Sequence, residues 1–151
     1  MIVYADGAAR GNPGPAGIGA VVTDEEGRVV EEIAEGIGPA TNNVAEYRAA
    51  IAGLRAAADR GARTVLLRSD SRLLIEQLAG RFRVKKPTLQ RLHEEARELM
   101  KRFDDVALEH VPREQNAEAD RLANEGTDAW LAGPGRDWRP QEPPSEPLFE
   151  D

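Results

Sequence analysis

The stretch Ile2-Val3-Tyr4-Ala5-Asp6-Gly7, continued by Gly11-Asn12-Pro13-Gly14-Pro15 and closed by Gly17-Ile18-Gly19, decides how the rest of this 151-residue chain is read. Ile2 to Ala5 are apolar, with β-branched and aromatic side chains, the pattern of a buried strand. The run stops at a carboxylate, so Asp6 is expected where a core strand meets solvent. Residues 7–19 hold five glycines and two prolines. Glycine adopts positive φ and lets backbone amides approach a bulky ligand. The same residues also suit a plain turn before a hairpin, and the stretch alone does not choose between the two.

Outward from this stretch, residues 18–23 and 29–34 are apolar-rich runs around the turn sequence Asp24-Glu25-Glu26-Gly27, so a hairpin is expected. Thr41-Asn42-Asn43 supplies capping side chains for a helix whose Val44, Tyr47, Ile51, Leu54 and Ala58 recur at helical spacing, with Gly61 closing it. Thr64 to Ser69 reads as a further strand, again ending at a carboxylate, Asp70. A short helix spans residues 71–78, and a longer one starts at Pro87 with Leu89, Leu92, Ala96, Leu99 and Phe103 as its stripe. Val106 to Val111 forms the last strand, placing Val106, Leu108 and His110 on one face. Asn116 is expected to cap a final helix that carries Asp120 near its start. The order βββαβααβα implies an α/β fold with a five-stranded mixed sheet, three antiparallel strands first and then strands joined by helices. Ligands of such sheets bind beyond the C-terminal ends of parallel strands, where Asp6 and Asp70 both lie.

Composition narrows the function. There is no cysteine, which removes disulfides, thiolate metal sites and cysteine nucleophiles and suits a reducing compartment. No apolar run approaches ~18 residues and no leader pattern opens the chain, so a cytoplasmic protein without a membrane segment is expected. The net charge of −7 is unusual for a phosphate-binding protein. Its distribution matters more. Residues 134–151 carry five prolines and a net −3, the composition of a tail, with Trp130, Trp138, Leu148 and Phe149 as apolar handles. Arg81, Arg83, Lys85, Lys86 and Arg91 form a run without an acid, either a basic footprint or a solvated face.

Asp6, Glu46, Asp70 and Asp120 can be gathered by strand ends and helix starts. Glu46 alone would pass as a dipole-favoured surface charge in the first turn of its helix. Four carboxylates in one pocket would raise one another's pKa, and divalent metal resolves that conflict. An oxygen-only donor set favours Mg²⁺ or Mn²⁺ over zinc. Two such ions suit hydrolysis of a phosphodiester.

Asp6-Gly7 with Gly11-Asn12-Pro13-Gly14-Pro15, Thr41-Asn42-Asn43 with Glu46, Ser69-Asp70-Ser71, and Asn116 with Ala119-Asp120-Arg121-Leu122-Ala123 resemble, in the same order, the motifs of type 1 ribonuclease H. The resemblance covers residues 1 to about 126. It implies the ribonuclease H-like fold and endonucleolytic cleavage of RNA in an RNA/DNA hybrid with two Mg²⁺ ions, Mn²⁺ able to substitute. Asp6, Glu46, Asp70 and Asp120 would be the metal-binding catalytic residues. Asn12, Thr41, Asn42, Asn43, Ser71 and Arg72 would contact substrate, the asparagines at the minor groove where RNA exposes its 2′-hydroxyls. Helix capping remains the competing role for Asn42 and Asn43. A catalytic domain over residues 1–128, a Pro-rich acidic tail over 129–151 and a monomeric state complete the expectation.

The sequence departs from that pattern in three places. The segment before the last helix is only Pro112-Arg113-Glu114-Gln115, without the histidine-bearing loop of many relatives, so His110 reads as a strand residue, and Arg113 or Glu114 would take over product release or proton transfer. The basic protrusion is missing, which matches the compact prokaryotic form and shifts substrate binding towards residues 81–91. Arg72 stands where relatives often carry a polar amide. Two other readings stay open: activity that extends to double-stranded RNA, and a non-catalytic hybrid-binding module.

Overall fold

The computed structural model describes residues 1–140. A single sheet has strand order β3-β2-β1-β4-β5, built from β1 (Ile2–Ala9), β2 (Gly14–Thr23), β3 (Val29–Ala40), β4 (Thr64–Ser69) and β5 (Asp105–His110). The helices are α1 (Asn42–Asp59), α2 (Arg72–Leu78), α3 (Pro87–Met100) and α4 (Ala117–Ala132), the last preceded by a 3₁₀ turn at Arg113–Asn116. β1, β2 and β3 are antiparallel, and β1, β4 and β5 run parallel, as the element order implied.

Three strands exceed their expected limits. β1 runs on to Ala9 and β2 begins at Gly14, with pairs Asp6↔Gly19, Gly7↔Ile18, Ala8↔Gly17 and Ala9↔Ala16. Most of the glycine-rich stretch is therefore hairpin ladder, turning only around Arg10–Pro13, where Gly11 has φ 84° and the Asn12–Pro13 peptide is cis. β3 likewise continues through Gly36, Gly38 and Pro39 to Ala40 as an edge strand, where a proline lacking its N–H is tolerated. The glycines of β1 and β2 admit helices. A Cβ at Gly19 would lie 2.0 Å from the Ala119 carbonyl oxygen, so α4 rests directly on the sheet there.

The core gathers Val3, Ile18, Val22, Tyr47, Leu54, Leu67, Leu74, Leu78, Leu89, Leu99 and Phe103. Fully buried side chains such as Leu54 and Leu67 each contribute about 2–3 kcal/mol by leaving water. The α3 stripe is as expected at Leu89, Ala96 and Leu99, although the helix stops at Met100 and Phe103 packs from the following turn. Helix α4 continues past residue 128 to Ala132. Leu148 and Phe149 lie outside the described residues, and Trp138 is half-buried.

Candidate active site

Asp6 does not stand at a strand end exposed to solvent. It is an interior residue of β1 and only 5% exposed. The register explains why it still faces a site. The parallel ladder between β1 and β4 ends at Ala5↔Ser69, so Asp6 is the first β1 residue beyond its β4 partner, and Asp70 directly follows β4.

Helix α1 brings the third carboxylate. Thr41 caps it, its hydroxyl accepting from the Val44 N–H at 3.2 Å. The helix then crosses β1 at Gly7, where a Cβ would fall 2.2 Å from the Ala45 carbonyl. That approach lets the Gly7 N–H donate to Glu46 Oε2 at 3.2 Å. One carboxylate oxygen each from Asp6, Glu46 and Asp70 lie within 4.8 Å of one another. Asp120, in the first turn of α4, is not among these three. It reaches the cluster through Asp6, with which its carboxyl shares a hydrogen bond and a repulsion.

The electrostatics follow. Burial, then repulsion from Asp70 and the contact with Asp120, push the Asp6 pKa up to about 8. Burial first, then Asp6 and Asp70, push Glu46 well above the carboxylate range, and the Gly7 N–H opposes this only in part. Asp6 Oδ2 is buried without a hydrogen-bond partner among the described residues. An orphaned carboxylate oxygen facing two more carboxylates is a donor set for a hard divalent cation, so the residues present fit the expected metal.

Asn116 departs from its expected role. It occupies the N-cap position of α4, yet its side chain makes no capping bond. Buried at 1% exposure, its Nδ2 donates to the Ala5 carbonyl at 2.9 Å and to Asp70 Oδ1 at 3.4 Å. One amide thus joins the start of α4 to the middle of β1 and to the residue that follows β4. Arg10 adds a second tie between the β1–β2 turn and α4, pairing with Asp128 at 2.8 Å and with Asn124 Oδ1 at 3.2 Å.

Among the expected substrate contacts, Asn42 Oδ1 accepts from the Ala9 N–H at 2.8 Å, and Asn12 Oδ1 accepts from the Asn42 N–H at 3.0 Å. The two side chains clasp the glycine-rich turn to the start of α1, and Thr41, not Asn42, is the cap. Asn43 follows them at the helix start, half-buried. Ser71 caps α2 by accepting from the Leu74 N–H at 3.2 Å. Arg72 is exposed and lies over the Phe82 ring at 5.9 Å. His110 is the last residue of β5, its Nε2 3.2 Å from the Asp70 carbonyl oxygen. Arg81 is not an open charge of the basic run, because Glu76 binds it bidentately at 2.6 and 3.0 Å. The sequence reading missed Gln77, 4% exposed on the inner side of α2. Its spacing from Leu74 and Leu78 was the available signal, a polar residue on an apolar face.

Residues 4–126 match the family model described as Reverse transcriptase-like. Ribonuclease HI of Halobacterium salinarum is 51% identical over 125 residues, 83% of this chain and 63% of that protein. The chain belongs to the type 1 ribonuclease H family. The bifunctional protein Rv2228c of Mycobacterium tuberculosis is 49% identical over 130 residues, 85% of this chain. Its N-terminal RNase H domain superposes with a TM-score of 0.83 at 48% identity, covering 84% of this chain and 98% of that domain structure. LC11-RNase H1, isolated from compost, was solved in complex with an RNA/DNA hybrid; it superposes with a TM-score of 0.81 at 43% identity, over 86% of this chain and 98% of that one. The chain spans 36% of the mycobacterial relative's length. As in the compact form of the family, α2 and α3 are joined by residues 79–86 alone, without a protrusion.

Proposed function

We propose that this ribonuclease H is an endonuclease that hydrolyses the RNA strand of RNA/DNA hybrids. The observation that carries the reading is the convergence of Asp6, Glu46 and Asp70 within 4.8 Å around an orphaned, buried Asp6 oxygen. The hybrid bound by its relative LC11-RNase H1 supports the substrate class. Asp6, Glu46, Asp70 and Asp120 would hold two Mg²⁺ ions, with Mn²⁺ able to replace them. Bound there, the ions would supply Lewis acidity for generating the water nucleophile and for stabilising the departing oxygen in phosphodiester hydrolysis.

The chain's own residues set the geometry. The Gly7 N–H orients Glu46, and Asn116 orients Asp70. The Oδ1 atoms of Asn12 and Asn42 are engaged within the fold, which leaves their amide N–H groups to donate to 2′-hydroxyls, and Thr41, Asn43, Ser71 and Arg72 are assigned as further substrate contacts. RNA is distinguished by its hydroxyls, with no base sequence required. We assign residues 1–128 to the catalytic domain and 129–151 to a tail that the last turn of α4 enters. The protein works as a cytoplasmic monomer; no helix among the described residues is long and apolar enough to cross a membrane.

The test is cleavage of an end-labelled RNA/DNA hybrid beside duplex RNA and duplex DNA, with Mg²⁺ or chelator. Internal RNA cuts in the hybrid alone, abolished by chelator, are expected. Equal cutting of duplex RNA would broaden the activity, and binding without cutting would reduce the protein to a hybrid-binding module.

A further inference from the structure

The segment between α2 and α3 has no regular structure, yet its backbone is gripped by side chains. Gln77 Nε2 donates to the Arg83 carbonyl at 3.0 Å. Gln90 Nε2 donates to the Val84 carbonyl at 3.0 Å and reaches that of Lys85 at 3.4 Å. Gln77 is itself fixed from the core, because the Tyr47 hydroxyl donates to its Oε1 at 2.6 Å. A ring nitrogen of His93 also meets the Gln77 carbonyl oxygen at 3.1 Å. Three consecutive carbonyls of an exposed segment are thus tied to α1, α2 and α3. A surface loop ordinarily satisfies its carbonyls with water and keeps its mobility, so side-chain clamping of this kind calls for an explanation.

The side chains that the segment displays supply one. Arg81 is occupied by Glu76. Arg83 and Lys85 are exposed and Lys86 half-buried, and none of the three forms an ion pair among the described residues. Phe82 is 43% exposed, one of two large apolar side chains so exposed among the described residues, and Arg72 lies over its ring. Arg72 stands two residues beyond Asp70, and Tyr47, at the root of the clamp, directly follows Glu46. Through the Arg72–Phe82 contact the segment adjoins the start of α2, next to Asp70. Three unpaired cations beside an aromatic face suit a phosphodiester backbone better than a protein or a small ligand, since phosphates take the cations and a sugar or base takes the ring.

We propose that residues 82–86 form a preformed nucleic-acid platform, held in its binding shape by Gln77 and Gln90. This deepens the reading given above and rests on it. The two glutamines are positioning residues: they touch no substrate but spare the loop the entropy of ordering on binding. Their removal has a particular signature, because every charge on the platform stays in place. Affinity falls while the salt dependence, set by the number of phosphate contacts, is retained.

The experiment measures hybrid binding by fluorescence anisotropy across a salt series, steady-state cleavage, and amide exchange of residues 82–86. It compares wild type with Gln77→Met, which keeps the packing volume, and with Gln90→Ala, an exposed change that leaves the core intact. Expected are faster exchange in the segment, about tenfold weaker binding, an unchanged salt slope, and a loss carried by KM and not kcat. Faster exchange with affinity within twofold of wild type would overturn the platform while leaving the cleavage reading intact. Unchanged exchange in both variants would overturn the clamp. A wild type that neither binds nor cuts the hybrid would remove both readings together.

Discussion

Replacing Asp6 by asparagine removes the most buried carboxylate of the cluster, and its effect on the metal-free protein can be worked out from the structure. Folded Asp6 titrates at about 8 against 3.8 for an exposed carboxyl. A raised pKa means that the folded chain holds the proton more tightly than the unfolded chain. The stability this contributes is complete below about pH 3.8 and is lost as pH rises to about 8. Each unit of pH in that window costs up to about 1.4 kcal/mol per group, so Asp6 alone accounts for about 4 kcal/mol between pH 5 and 8. Glu46 is shifted in the same direction and adds to the loss. With chelator present, wild-type unfolding free energy from urea titrations should therefore fall steeply from pH 5 to 8. Asp6→Asn should roughly halve that slope and exceed wild type at pH 8. Saturating Mg²⁺ should flatten the wild-type dependence, because metal neutralises the cluster. Parallel slopes for wild type and variant under chelator would refute the idea that crowded carboxylates stress the empty site.

Three further outcomes follow from the geometry. Gly19→Ala would set a Cβ 2.0 Å from the Ala119 carbonyl and 2.6 Å from the Ala123 nitrogen; forcing α4 off the sheet should cost about 3 kcal/mol or more by thermal unfolding and lower hybrid cleavage as Asp120 moves. Thr41→Ala removes the hydroxyl cap of α1 and should cost about 1 kcal/mol of stability in the same assay. Neutralising Arg83, Lys85 and Lys86 together should lower the slope of log affinity against log salt by about 2–3, read from hybrid binding titrations.

Glu46, Asp70 and Asp120 could be singled out because local chemistry marks their places: caps before Glu46, an apolar run ending at Asp70, and the Asn116 segment before Asp120. Asp6 was found for a partly wrong reason. Glycines at 7, 17 and 19 read as a loop because strand propensity penalises them, yet tertiary contact decides here: helices α1 and α4 press on β1 and β2 where no Cβ would fit. β3 was cut short for the same reason, Gly36 lying under Trp130. Asn116 was placed correctly at the start of α4, but its amide is spent on Ala5 and Asp70, partners 111 and 46 residues away. No local pattern encodes such contacts. The basic run was visible as composition. That Arg81 is neutralised by Glu76 and that Gln77 grips the loop depends on how α2 is rotated against α1 and α3, which spacing alone does not give.

The most direct test of the central claim is single-turnover cleavage of an RNA/DNA hybrid in Mg²⁺ by wild type and by Asp70→Asn, with melting curves for both. Loss of a metal ligand should remove several kcal/mol of transition-state stabilisation, a fall of at least about 10³-fold, in a variant that melts no lower than wild type. Cleavage by Asp70→Asn within tenfold of wild type would contradict the assignment of this carboxylate cluster as the catalytic centre.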